Sequence, residues 1–299
     1  MISIIISSVD QMALARVKAN IDQTIGVAYE IIAIENAKGE RGICEVYNLG
    51  MKQSKYDLVC FMHEDVEIHT LKWGEIVGAI FAANPRLGLI GVAGSQYKSL
   101  TPSGWHCYGI DAPQIQYYHI IQQYKFSAKE EDLAYSNPEN VNLAKVVCID
   151  GVWFCMSREA ALFYPFDEQL LKGFHGYDLD LALGINQRYD VAVTFEVLLT
   201  HFSEGNFNAK WLREILKVHA KWSKYLPINL ARLPHNKIFN EEKRAFRNII
   251  ERMWVEQFEL REMFNIVWDS RKSKLMSFGL SLKLYWQVVK YVLKSRPSS

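Results

Sequence analysis

The sequence has no charge excess of either sign. Its 34 Lys and Arg face 33 Asp and Glu, for a net charge of +1. No field of the whole chain therefore draws nucleic acid or acidic substrates, and no nucleic-acid partner is expected. Cysteine is scarce and odd in number, at five, with no CxxC pair. That excludes a disulfide framework; Cys60 and Cys148 lie in apolar strand-like runs and read as small buried hydrophobes in a reducing compartment. No apolar run reaches the roughly 18 residues that suggest a membrane span. The first ten residues have no basic lead and a short apolar run closed by Asp10, unlike a signal peptide. A cytoplasmic location is the expectation. Internal repeats and low-complexity tracts are also lacking.

What is present suits a packed globular chain: 299 residues, 49% hydrophobic and 22% charged. The first third alternates strand and helix patterns. Apolar, β-branched runs at Ile2–Ser7, Tyr29–Ile34, Leu58–Met62 and Leu87–Val92 predict strands buried on both faces. Between them, Leu14, Val17, Ile21 and Ile25, then Ile43, Val46, Tyr47 and Met51, then Trp73, Ile76, Val77, Ile80 and Phe81 recur at helical spacing. Gly26 and Asn84-Pro85 supply stops. This order predicts an α/β fold with a mostly parallel central sheet flanked by helices. Residues 95–116 and 127–142 read as loops. Tyr117–Phe126, Lys145–Ile149 and Val191–Leu199 read as strands, and Asp178–Arg188 as a helix. After His201 the spacing becomes helical, so the expected division is 1–205 for the α/β domain and 206–299 for a helical C-terminal extension.

Three places carry chemistry. His63-Glu64-Asp65-Val66 follows directly on a buried strand, where open α/β sheets bind ligands. A carboxylate there suits Mg²⁺ or Mn²⁺ held against a diphosphate, and equally suits a helix cap. Gly173-Phe174-His175-Gly176-Tyr177-Asp178-Leu179-Asp180 leads acidic residues into a helix, as a general base or as a capping set. Phe174 and Tyr177 suit either a core or a sugar-stacking platform. His201 leaves a strand end, as a metal ligand or as an ordinary packed histidine.

Taken in order, these features resemble glycosyltransferase family 2 on a GT-A fold, and within it the streptomycin-biosynthesis-type glycosyltransferase-like domains. The resemblance covers roughly residues 1–205. It rests on the 63–66 box, the Asp150-Gly151 turn, and the runs Phe166-Asp167-Glu168 and 173–180. It implies a metal-dependent, inverting transferase that moves a sugar from a nucleotide-diphosphate donor to a saccharide or lipid-linked acceptor, as in polysaccharide biosynthesis. It further implies Ser7, Ser8, Glu35, Asn48, Glu64 and Asp65 on the donor, with Asp65, His63 and His201 on the metal and Asp178 as catalytic base. Candidate acceptor contacts are Trp105, His106, Trp153, His175, Tyr177 and Asp180. The commoner pattern has Asp where His63 stands and Glu where Tyr177 stands. Gly184 occupies the place of an expected cation, with Arg188 the nearest substitute.

Two other readings share the fold: a sugar-nucleotide or glycan-binding module without efficient transfer, and a nucleotidyltransferase. The second needs a glycine-rich, basic loop after the first strand, and Ser7-Ser8-Val9-Asp10 is neither. Residues 270–299 carry seven Lys or Arg and no acid. Leu282, Tyr285, Trp286, Val289 and Leu293 share one helical face there, flanked by Lys283, Lys290 and Lys294. Such a helix lies on an anionic membrane surface, packs on its own chain, or joins a homodimer.

Overall fold

The computed structural model describes residues 1–125 and 128–293. They form two compact units: 1–96 with 113–206, and 97–112 with 207 onward.

The first unit begins with β1 (Ile2–Ser8), α1 (Gln11–Thr24), β2 (Tyr29–Glu35), α2 (Ile43–Gln53), β3 (Leu58–Met62), β4 (Val66–Ile68), α3 (Trp73–Ala83), β5 (Leu87–Gly91) and β6 (Ala93–Ser95). The chain makes β7 (Tyr97–Lys98) in the second unit, then returns. It continues with β8 (Gln116–Gln122), β9 (Asp132–Ser136), β10 (Leu143–Val146), β11 (Cys148–Ile149), β12 (Trp153–Ser157), α4 (Arg158–Phe163), α5 (Tyr177–Ile185), β13 (Asp190–Thr194) and β14 (Leu199–His201).

The main sheet has seven strands in the order β10-β13-β5-β12-β3-β1-β2. β1, β2, β3, β5 and β13 run one way; β12 and β10 run the other. β1 is buried along its whole length because strands flank it on both sides. β2 was expected to be buried likewise, but it ends the sheet, is only half-buried, and leaves Glu35 exposed. α1 starts where Asp10 accepts from the Met12 and Ala13 amides, an N-cap that satisfies otherwise orphan donors.

A second sheet, β11-β6-β8-β14-β4 with β9 on β8, carries the irregular middle of the chain. Here the structure departs from the sequence pattern. Residues 132–136, expected as loop, form β9 because β8 offers them an open edge. The runs 145–149 and 191–199 each break into two strands that serve different sheets. β12 lies antiparallel at the centre of the main sheet between β3 and β5. Phe126, expected to end a strand, lies outside the described residues.

The second unit holds α6 (Ala209–Trp222), β15 (Ile228–Asn229), α7 (His235–Val255), α8 (Leu260–Ser270) and α9 (Phe278–Val292), with β15 paired to β7. Residues 97–112 belong to it because Glu242 of α7 is fully buried beneath them. Its carboxylate accepts from the Tyr97 and Thr101 hydroxyls and the Leu100 and Thr101 amides. Nothing in the residue order marks that pairing. α9 turns Leu280, Leu284, Val288 and Tyr291 inward and packs on α7 and α8. Among the described residues no helix is long and apolar enough to cross a membrane.

Candidate functional site

β3 delivers His63 at its carboxyl end, where the His63 amide donates to the Val152 carbonyl ahead of β12. β4 then pairs antiparallel with β14, matching Val66 to His201. This register brings two residues far apart in the chain into one corner. Asp65 Oδ1 lies 3.8 Å from His63 Nδ1 and 3.8 Å from His201 Nε2. Ligand atoms of all three lie within 4.8 Å of one another. Ser203 donates to Asp65 Oδ2 at 2.6 Å. Burial alone would raise the Asp65 carboxyl; His63, His201 and the Ser203 hydroxyl outweigh it and hold it below the usual range. Burial, reinforced by the neighbouring His201, lowers His63, which favours the neutral imidazole that ligation needs.

Two imidazoles and a carboxylate, with ligand atoms gathered within 4.8 Å, are a donor set that can hold a divalent cation, the carboxylate being the oxygen ligand that Mn²⁺ favours. The residues present therefore fit the metal that the sequence resemblance implies.

The base candidate sits beside this corner. Gly176, at φ 77°, caps α5 in the left-handed region, where a side chain would strain the backbone. Asp178 follows in the first turn. Burial, then the adjacent Asp150 carboxylate, pushes Asp178 up to about 7 against the pull of nearby backbone amides. Tyr177 links the two halves: its hydroxyl donates to the Gly151 carbonyl at 3.0 Å and lies 3.0 Å from His63 Nε2. A Cβ at Gly151 would meet that hydroxyl at 2.3 Å, so only glycine fits.

The other expected residues divide. Ser7 and Ser8 end β1, and their buried hydroxyls have no partner among the described residues. Glu64 is buried; its Oε1 accepts from the Val9 and Asp10 amides at 2.8 and 2.9 Å, bracing the turn from β1 into α1. Asn48 is engaged at both ends of its amide with Phe166 and also bonds Glu168, so it braces that loop instead of facing a ligand. Phe174 is exposed and lies 5.9 Å from the His63 ring, ring centre to ring centre, with His175 beside it.

Trp153 was expected as an acceptor contact, but it is fully buried against Trp73 in the core of the sheet. Asp180 is likewise buried and accepts from the Tyr164 hydroxyl. Neither reaches solvent, so neither is carried into the site. Trp105 and His106 lie in the second unit, where His106 also meets Tyr108. Arg188 is held by Glu159 and lies over Phe163 and Tyr189. Gly184 admits no side chain, because Tyr164 would lie 2.3 Å from its Cβ.

Sequence reasoning missed Ser203 and Gln122 as site residues, and the bond between Tyr177 and His63. Only the strand pairings bring the first two to the corner, so no local pattern marks them.

Comparison with known proteins follows the same lines. A family described as glycosyltransferase-like matches residues 3–222. No curated protein sequence matches the chain. Among solved structures, residues 1–349 of S. aureus TarS in complex with UDP-GlcNAc align at TM-score 0.56 and 10% identity, covering 97% of this chain and 88% of that one. Another S. aureus TarS structure aligns at 0.53 and 8% identity, with 97% of this chain covered. GalNAc-T7 with UDP, GalNAc and Mn²⁺ aligns at 0.50 and 9% identity, covering 99% of this chain. The chain spans 53% of that second TarS chain and 59% of GalNAc-T7. At these identities the likeness concerns the fold, which is GT-A.

Proposed function

The chain belongs to the glycosyltransferase-like family that matches residues 3–222, and from that premise we propose that it is a metal-dependent, inverting transferase using a nucleotide-diphosphate sugar. The finer placement in family 2, beside the streptomycin-biosynthesis-type domains, rests on the 63–66 box and the 173–180 run. One observation carries the functional reading: a corner of His63, Asp65 and His201 that could hold a metal ion, joined through Tyr177 to the Asp178 carboxyl, which burial and Asp150 push up to about 7.

Each residue then has a task. Asp65, His63 and His201 would hold the metal, which when bound neutralises the donor diphosphate as leaving group. Ser7 and Ser8 offer unpartnered hydroxyls at the end of β1. Leaving such groups buried and unsatisfied costs about 1–3 kcal/mol each, a cost that a donor nucleotide would relieve. Glu35, exposed at the end of β2, suits the nucleoside. Phe174 and His175 suit the face of a sugar; Trp105 and His106, candidates for saccharide contact, lie in the second unit. Asp178 takes the acceptor proton as its oxygen attacks the anomeric carbon from the face opposite the diphosphate. TarS with UDP-GlcNAc and GalNAc-T7 with UDP and Mn²⁺ support the donor and metal classes.

A donor panel with acceptor saccharides tests the reading. Metal-dependent release of nucleoside diphosphate is expected; binding without release would leave a binding module. Release of pyrophosphate from a nucleoside triphosphate and a sugar phosphate would mean a nucleotidyltransferase.

The outward stripe of α9 suits a peripheral membrane contact at a lipid-linked acceptor. Phe278, Leu282, Trp286 and Leu293 are 85, 60, 57 and 78% exposed. Arg271, Lys272, Lys274, Lys283 and Lys290 lie in the same stretch of chain, which holds no acid from residue 270 on; Lys294 lies outside the described residues. The full chain is expected to sediment with phosphatidylserine-containing vesicles and not with neutral ones. Leu282→Asp/Trp286→Asp should weaken sedimentation by about tenfold or more, from the apolar area lost. Equal sedimentation of variant and wild type would remove this contact, and a concentration-dependent dimer would assign the stripe to a second copy.

A further inference from the structure

The two departures from the commoner pattern, His63 and Tyr177, touch each other. A carbonyl can only accept, so the single Tyr177 hydroxyl proton goes to Gly151, and the hydroxyl's lone pair faces His63 Nε2. That arrangement favours the His63 tautomer with its proton on Nε2. Its Nδ1 lone pair is left pointing at Asp65, 3.8 Å away. Asp65 alone would favour the opposite tautomer, with the proton on Nδ1.

His201 is set in the complementary way. The Gln122 amide nitrogen donates to the carbonyls of Gln123 and Ser203 at 2.6 and 2.9 Å, and more weakly to that of His201. These bonds orient the amide and turn Oε1 toward His201 Nδ1 at 3.4 Å. An amide oxygen only accepts, which favours a His201 proton on Nδ1 and an Nε2 lone pair toward Asp65, against the opposite pull of Asp65 and of the Ser203 hydroxyl 3.5 Å from Nε2.

We propose that Tyr177 and Gln122 are positioning residues that hold His63 and His201 in opposite tautomers, so that His63 Nδ1 and His201 Nε2 face one cation beside Asp65. On this view Tyr177 is the partner that makes histidine workable at position 63. An aspartate there would need no such partner, because each carboxylate oxygen accepts without a tautomer to set. The proposal rests on the metal reading given above. Outer partners of this kind are typically worth about 10–100-fold in metal affinity.

The test uses the full chain, ¹⁵N-labelled at histidine, with Mn²⁺ alone as ligand. In the metal-free protein, long-range ¹H–¹⁵N spectra are expected to show His63 protonated on Nε2 and His201 on Nδ1. Tyr177→Phe should shift His63 toward the Nδ1–H form and weaken Mn²⁺ about 10–100-fold by calorimetry, with a folded melting transition. In a His63→Asp background the same Tyr177→Phe change should cost less than threefold, a non-additivity that reports the direct coupling. Gln122→Leu should act on His201 alone in the spectra. Unchanged tautomers in Tyr177→Phe would overturn the proposal. So would an equal loss of Mn²⁺ affinity with and without His63→Asp, which would mean general loosening of the corner. Wild-type protein that shows the expected tautomers and binds no Mn²⁺ would instead sink the metal reading.

Discussion

Asp178→Asn is expected to bind the donor as tightly as wild type and to turn over about 10²–10⁴-fold more slowly. Asparagine keeps the size and the hydrogen-bonding oxygen but cannot take a proton. The loss should fall on kcat, with the donor KM little changed. Asp178 titrates near 7 because burial and then Asp150 disfavour its charge. Wild-type turnover should therefore rise with pH through about 7 as the carboxylate forms, and Asp178→Asn should lack that limb. Stability follows with the opposite sign. The folded pKa lies above the unfolded value, so the native state holds the proton more tightly. Stability is fully present below about pH 4 and is lost as pH rises through about 7. At pH 8 Asp178→Asn should melt higher than wild type, and at pH 4 the gap should close. Wild-type turnover in the variant would remove Asp178 from the reaction; a gap that does not change with pH would remove the buried charge.

Asp65→Ala should lose metal binding more completely than the roughly 10–100-fold expected of outer-partner changes. Asp65 is central to the corner: both imidazoles lie 3.8 Å from the same oxygen, and Ser203 orients the other. Without it, the two imidazoles lose the carboxylate oxygen that they share. Metal-dependent donor binding should vanish by calorimetry, while the melting temperature changes modestly because the side chain is partly exposed. Donor binding that keeps its metal dependence would mean that the metal lies elsewhere.

The early strands and helices are legible because each is a local pattern. β1, α1, β3 and α3 follow from runs and spacings inside a single window. The rims of the sheets are less legible. β9 is polar enough to read as loop and becomes a strand only because β8 has a free edge. β12 follows the Asp150-Gly151 turn in a stretch where no strand was expected, yet it occupies the middle of the main sheet. Residues 97–112 join the second unit through the buried Glu242 carboxylate, a bond between positions about 140 apart in the chain.

The candidate site divides in the same way. The order of residues alone determined which side chains can do chemistry and that they leave ordered elements: His63 and Asp65 after β3, Asp178 at the start of α5, His201 at the end of β14. Local periodicity suffices for that, since it says where elements stop. The tertiary structure alone decided which of them meet. The β4–β14 register sets His201 beside Asp65, and the parallel pairing of β8 with β14 brings Gln122 to His201. The approach of α5 to Gly151 lays Tyr177 against His63, while the same helix turns Asp180 into the core. Hydrogen bonds and burial act through space over a few ångströms, and sequence separation is blind to them.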